Sequence, residues 1–164
     1  MARNKENDVD DDEDEVSITP SELDELTHAE LCMLYRESTE TMRFVKTHQW
    51  KTVGATLLTF AGLIFTAGFV DANQALTDKF MAITILLTTA VIFTLVIYQF
   101  WQANETAKIE TMNGQFSSLY RKVRAQKSSR EGNLHRYTLL FFMITVIVLG
   151  AVVVHLALAR IAIT

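Results

Sequence analysis

The chain has 164 residues, of which 49% are apolar and 21% charged, with one Pro, six Gly and one Cys. Three long stretches carry almost none of the charge, which excludes an ordinary soluble domain. So few Pro and Gly exclude a loop-rich or β-rich fold, and a lone Cys excludes both an intrachain disulfide and a multi-Cys zinc site. The formal charge of −4 belongs to one end. Of 15 bases and 19 acids, two and eight fall in the first fifteen residues, which leaves 13 bases against 11 acids elsewhere.

Residues 1–18 form an acidic tail, with Asp8–Glu15 interrupted only by Val9. Such a run repels itself and buries too little surface to offset chain entropy, so it is expected to be disordered. It reads either as a solubilising tail or as a docking tail for a basic partner. Residues 19–51 follow as an amphipathic helix. Thr19-Pro20-Ser21-Glu22 has the pattern of a capping box with Pro at the first helical position. Leu23, Leu26, Met33, Leu34, Phe44 and Val45 fall on one stripe at helical spacing.

Residues 52–101 read as a transmembrane hairpin. Val53–Val70 is an uncharged run of 18 residues and Phe80–Trp101 one of 22; each is long enough to cross a bilayer. Asp71–Lys79 is expected to be a tight loop between them. Tyr98, Phe100 and Trp101 suit the membrane–water boundary. Residues 102–136 form a basic segment, predicted helical over Gln102–Lys127. A straight helix of that length would travel about 39 Å, while Ser128–Arg136 returns at most roughly 31 Å. The helix must therefore break, with Asn113-Gly114 the favoured place, or lie flat on the membrane. Arg121, Lys122, Arg124 and Lys127 would then meet anionic headgroups. Residues 137–164 hold the third span, Tyr137–Ala159. Lys and Arg cluster before the first span and between the second and third. The N-terminus and the long loop are therefore expected in the cytoplasm, and the C-terminus outside.

No catalytic constellation is evident, and neither a cofactor, a metal nor a nucleic-acid partner is expected. His28 and Cys32 lie four apart on a helix, which offers two metal ligands and no third. His48 and His135 sit at the edges of spans one and three, where interfacial placement competes with ligation. His155, with Thr84 and Thr88, supplies polarity inside the spans. An intramembrane ionisable group is a functional candidate, but near the outer end packing or hydrogen bonding is the favoured reading for His155, ahead of a proton or ion path or cofactor ligation. Gly54 and Gly62 in span one permit close helix approach, and the Thr hydroxyls are expected to bond across helices. Leu34 and Phe116 are the expected packing residues of the two cytoplasmic helices.

Leu34-Tyr35-Arg36-Glu37, Gln49-Trp50-Lys51 and the hairpin Thr52–Trp101 give a layout that resembles the SLATT group of small bacterial membrane proteins. The resemblance implies self-assembly, pore formation and a response to nucleotide signals made by partner enzymes. It covers about two thirds of the chain; the third span and acidic tail lie outside it. Taken together, the sequence predicts an all-α, three-span inner-membrane protein of bacterial type. It is expected to be a non-enzymatic, self-associating module or accessory scaffold subunit in the lipid bilayer. The alternative is a pore-forming or transport component gated from the cytoplasm.

Overall fold

The computed structural model describes residues 18–70, 72–125 and 129–162. Residues 1–17 of the acidic tail, Asp71 and Lys127 lie outside them. Four helices occur in the order α1 (Glu25–Phe69), α2 (Gln74–Asn113), α3 (Ser118–Ala125) and α4 (Ser129–Ile161), with no strand among the described residues. Three of them, α1, α2 and α4, are long and apolar enough to cross a membrane. The chain is thus all-helical and of the multi-pass membrane class.

Helix α1 starts five residues after the expected box. Asp24 caps it, its Oδ1 accepting from the backbone N–H groups of Leu26 (3.1 Å) and Thr27 (3.0 Å). The Thr27 hydroxyl donates to Oδ2 at 2.6 Å, and this bond is the main cause holding the Asp24 carboxyl below its ordinary range. Residues 18–23 do not start the helix because they are engaged elsewhere. Thr19 and Ser118 exchange two hydrogen bonds, Ser118 N to Thr19 O (3.0 Å) and Thr19 N to Ser118 Oγ (2.8 Å). The Ser21 hydroxyl donates to the Gln115 carbonyl at 2.9 Å.

The connection between α1 and α2 is shorter than expected. Asn73 caps α2 through Oδ1 and Leu76 N (3.0 Å), so Gln74–Lys79 is already helical. At the other end α2 stops at Asn113, at the break the sequence favoured. Ser117 then starts α3, its hydroxyl accepting from Tyr120 N at 3.3 Å. Helix α3 doubles back toward the bundle, and α4 begins at Ser129, eight residues before the apolar run of span three.

Helices α1, α2 and α4 pack mutually around one seam. Its apolar part comprises Val53, Phe60 and Ala67 from α1, Val91 and Leu95 from α2, and Met143, Ile147, Val154 and Leu158 from α4. Lipid tails are as apolar as Leu, so here close packing and dispersion hold the helices together. Gly150 is the tightest approach: a Cβ there would lie 3.0 Å from Phe60 Cδ2 and 3.1 Å from Leu57 Cδ2. Gly54 and Gly62, the glycines singled out from sequence, have open space around the Cβ position and point away from the chain's own bundle.

The stripe expected on α1 is not the packed one. Val45 is buried and Leu23 half-buried, but Leu26, Met33, Leu34 and Phe44 are exposed. The buried face runs instead through Ser38, Val45, Gln49, Val53, Thr56, Phe60 and Ala67. It is more polar than a hydrophobic search selects because its α2 counterpart is polar too. The Thr hydroxyls also depart from expectation. Thr56, Thr59, Thr84, Thr88, Thr89, Thr94 and Thr145 each donate to the carbonyl four residues earlier on their own helix. An otherwise unsatisfied hydroxyl finds that acceptor with no tertiary partner.

Candidate functional site

The polar residues that matter lie where the apolar seam ends. On α2, Gln99, Gln102 and Glu105 recur every three residues, and all are buried, as is Ser38 opposite them on α1. Gln102 Nε2 donates to Gln49 Oε1 at 2.8 Å, joining α2 to α1. Glu105 accepts from Lys108 Nζ at 2.7 Å and from the Ser38 hydroxyl. Gln99 Nε2 is enclosed without a partner among the described residues.

Above this belt the four helices line a half-open cavity of about 700 Å³, a size typical of small-molecule sites. Gln49 and Gln102 form part of its floor, and Leu140 and Met143 of α4 form an apolar wall at the membrane end. Its cations come from three helices: Lys46 from α1, Arg121 and Arg124 from α3, and Arg136 from α4. Glu110 is the one carboxylate in the lining. Among the described residues none of the four cations forms an ion pair. Arg136 is the most enclosed of them. Its Nη1 donates to Thr106 Oγ1 at 3.1 Å, its guanidinium lies 5.3 Å from the Tyr137 ring centre, and its Nε is buried without a partner among the described residues.

An aromatic cluster holds α3 over this cavity. Phe116 meets Tyr35 edge-on at 5.9 Å, His28 edge-on at 6.0 Å, and Tyr120 at 4.6 Å. Tyr120 also packs edge-on against Tyr35 at 6.1 Å and donates its hydroxyl to Asn113 Oδ1 at 3.2 Å. Burial first, and then the hydrogen bond with Tyr35, push the Tyr120 phenol up to about 12.

The sequence-selected residues therefore scatter. Phe116 is half-buried against Tyr35, His28 and Tyr120, while Leu34 is exposed. Arg121, Lys122 and Arg124 are all exposed; Arg121 and Arg124 line the cavity and Lys122 does not. Thr84 is buried and Thr88 half-buried within the bundle. His155 is half-buried, its Nδ1 3.0 Å from the Ala151 carbonyl, to which it donates. Cys32 Sγ sits 3.7 Å from His28 Nε2, and no third metal ligand joins them among the described residues. His48 rests against the Phe44 ring at 4.1 Å, and His135 lines the cavity. Sequence reasoning missed Gln49, Gln99, Gln102, Arg136 and Gly150. The three-residue spacing of Gln99, Gln102 and Glu105, beginning inside an apolar run, was the signal available.

Comparison with protein-family models, with curated proteins and with solved structures gives no match to this chain.

Proposed function

We propose that the chain is a non-enzymatic integral membrane module that associates through α1, first with a second copy of itself and otherwise with subunits of a larger membrane assembly. The supporting observation is the face of α1 that the chain leaves uncovered. At 100° per residue, Leu26, Met33, Phe44, Ala55 and Gly62 fall within about 20° of one meridian, and all five are exposed. The first three lie before the apolar run, where large exposed apolar side chains mark protein contacts. Ala55 and Gly62 lie within it, where small residues let helix backbones approach closely. One straight face thus suits both environments. The Lys and Arg distribution favours the cytoplasmic side of a bacterial inner membrane for α3 and the N-terminus.

A pore or transport role has less support. Thr84 and Thr88 return their hydroxyls to their own helix, and Val91, Leu95 and Ile147 fill the interior beyond them. The test is native mass in mild detergent, with co-purifying chains identified. The parent should run as a multimer or with fixed partners, and Gly62→Ile combined with Phe44→Gln should shift it toward monomer. A parent that is monomeric and co-purifies with nothing would refute the proposal.

A further inference from the structure

We propose that the cavity between α1, α2, α3 and α4 binds a phosphate group, and that an anionic phospholipid carries it. The lining is built for an anion. Lys46, Arg121, Arg124 and Arg136 converge on it against Glu110 alone. Lys46, Arg121 and Arg124 are exposed around it and Arg136 is half-buried, so the surplus is a focused positive potential that attracts an anion. Arg136 states the requirement most directly. Its planar fork has five donors; one reaches Thr106, and the enclosed Nε has no acceptor among the described residues. A phosphate, like a carboxylate, presents the paired oxygens that guanidinium geometry fits, and it is the phosphate that a membrane supplies at this depth.

The rest of the lining argues for a lipid as the carrier. The cations and the buried Gln49–Gln102 pair stand at the end of the three apolar runs, at the depth of headgroups. Leu140 and Met143 continue the lining toward the acyl region, and Trp50 lines it beside Gln49. A lipid entering from the bilayer would place its phosphate against Arg136 and Lys46 and its first methylenes against that wall. Basic pockets between spanning helices recognise headgroups in this way. The site differs from a charged membrane surface because its cations come from three helices and line one cavity.

Trp50 provides the probe. The full chain, with its other tryptophan removed as Trp101→Phe, would be titrated in mild detergent with bromine-labelled phosphatidylglycerol and with bromine-labelled phosphatidylcholine. Quenching of Trp50 should saturate with phosphatidylglycerol at a concentration at least tenfold below that for phosphatidylcholine. Arg136→Gln and Lys46→Gln should each weaken the phosphatidylglycerol response about tenfold, while Lys122→Gln, which removes one charge from the same layer outside the cavity, should not. Lys46 forms no described hydrogen bond or ion pair, so its variant keeps the test valid if Arg136→Gln fails to fold. Equal response to the two lipids, or equal weakening by Lys122→Gln, would overturn the site. Inorganic phosphate should not abolish quenching at millimolar concentration. If it does, the ligand is a free phosphate and the lipid assignment is wrong.

Discussion

Replacing Phe116 by Ala should release α3 from α1 while leaving the three-helix bundle intact. Phe116, two residues before α3, is the centre of the contact: its ring meets Tyr35, His28 and Tyr120, and the side chains of α3 lie mostly exposed. Truncating a fully buried Phe costs about 3–5 kcal/mol. Phe116 is half-buried, so about 2 kcal/mol is the appropriate figure, most of it apolar burial and the remainder edge-to-face ring contact. That amount raises the open fraction of α3 roughly 30-fold. Helix α3 carries its own cleavage sites in Arg121, Lys122 and Arg124, so trypsin reports the opening directly when reclosing outpaces cleavage. Cleavage within α3 should accelerate by about that factor in detergent-solubilised protein, with α1, α2 and α4 uncut. Leu34→Asp, which the sequence alone marked as the disruptive change, should leave cleavage at the parent rate, as should Glu37→Gln. A Phe116→Ala protein cut no faster than the parent would refute the packing reasoning; so would a Leu34→Asp protein cut as fast as Phe116→Ala.

Gln102→Leu should destabilise the bundle by about 1–2 kcal/mol, because it strands the buried Gln49 amide. Gln49→Leu with Gln102→Leu should recover most of that loss, and a double-mutant cycle by thermal unfolding in detergent checks the coupling. Gly150→Val should separate α4 from α1, since its Cβ would already press on Phe60 and Leu57, whereas Gly62→Val should leave monomer stability unchanged; melting temperatures of the two variants decide it. Tyr120 should ionise later than an ordinary tyrosine. Its folded value, about 12, lies above the ordinary 10.0. The neutral phenol therefore favours the docked state, fully below about pH 10, and this contribution disappears as pH rises through about 12. Phenolate absorbance should show a late phase that Tyr120→Phe removes, and persistence of that phase would refute the assignment.

Why the spans were legible and the site was not is a matter of which signals are local. Val53–Val70, Phe80–Trp101 and Tyr137–Ala159 are continuous apolar runs, and all but Val70, the C-cap of α1, lie within helices of the structure. The break at Asn113-Gly114 was legible because chain length alone forbids a straight excursion and return. The start of α1 was not: Thr19-Pro20-Ser21-Glu22 has every local feature of a helix N-terminus, but those residues close onto Ser118 and Gln115 instead. That competition is tertiary and leaves no trace in the window. Leu34 failed for a related reason. A hydrophobic search picks the face with most apolar side chains, and on α1 that is the outward one. The inward face is held by Ser38 and Gln49 because α2 presents Gln102 and Glu105 to meet them. Arg121 and Arg124 were legible as cations but not as a site, since Lys46 and Arg136 join them only after three helices converge.

The two proposed surfaces are separable because the polar belt fixes how α1 is turned. The Gln49–Gln102 bond and the Ser38–Glu105 contact both sit outside the apolar run, where helices could otherwise slide or rotate against each other without loss of apolar contact. They set one rotation of α1. Lys46 follows Phe44 by two residues, so it stands roughly 200° around the helix from it. The cavity and the uncovered stripe therefore occupy opposite sides of α1. A partner seated on Leu26, Met33 and Phe44 does not block entry to Lys46, and a phosphate beside Lys46 does not touch that partner. Phe44→Gln with Gly62→Ile should accordingly change native mass without altering quenching of Trp50, and Lys46→Gln should do the reverse. Joint loss of both properties in either variant would mean that α1 rotates freely, and that the buried amide pair does not set its orientation.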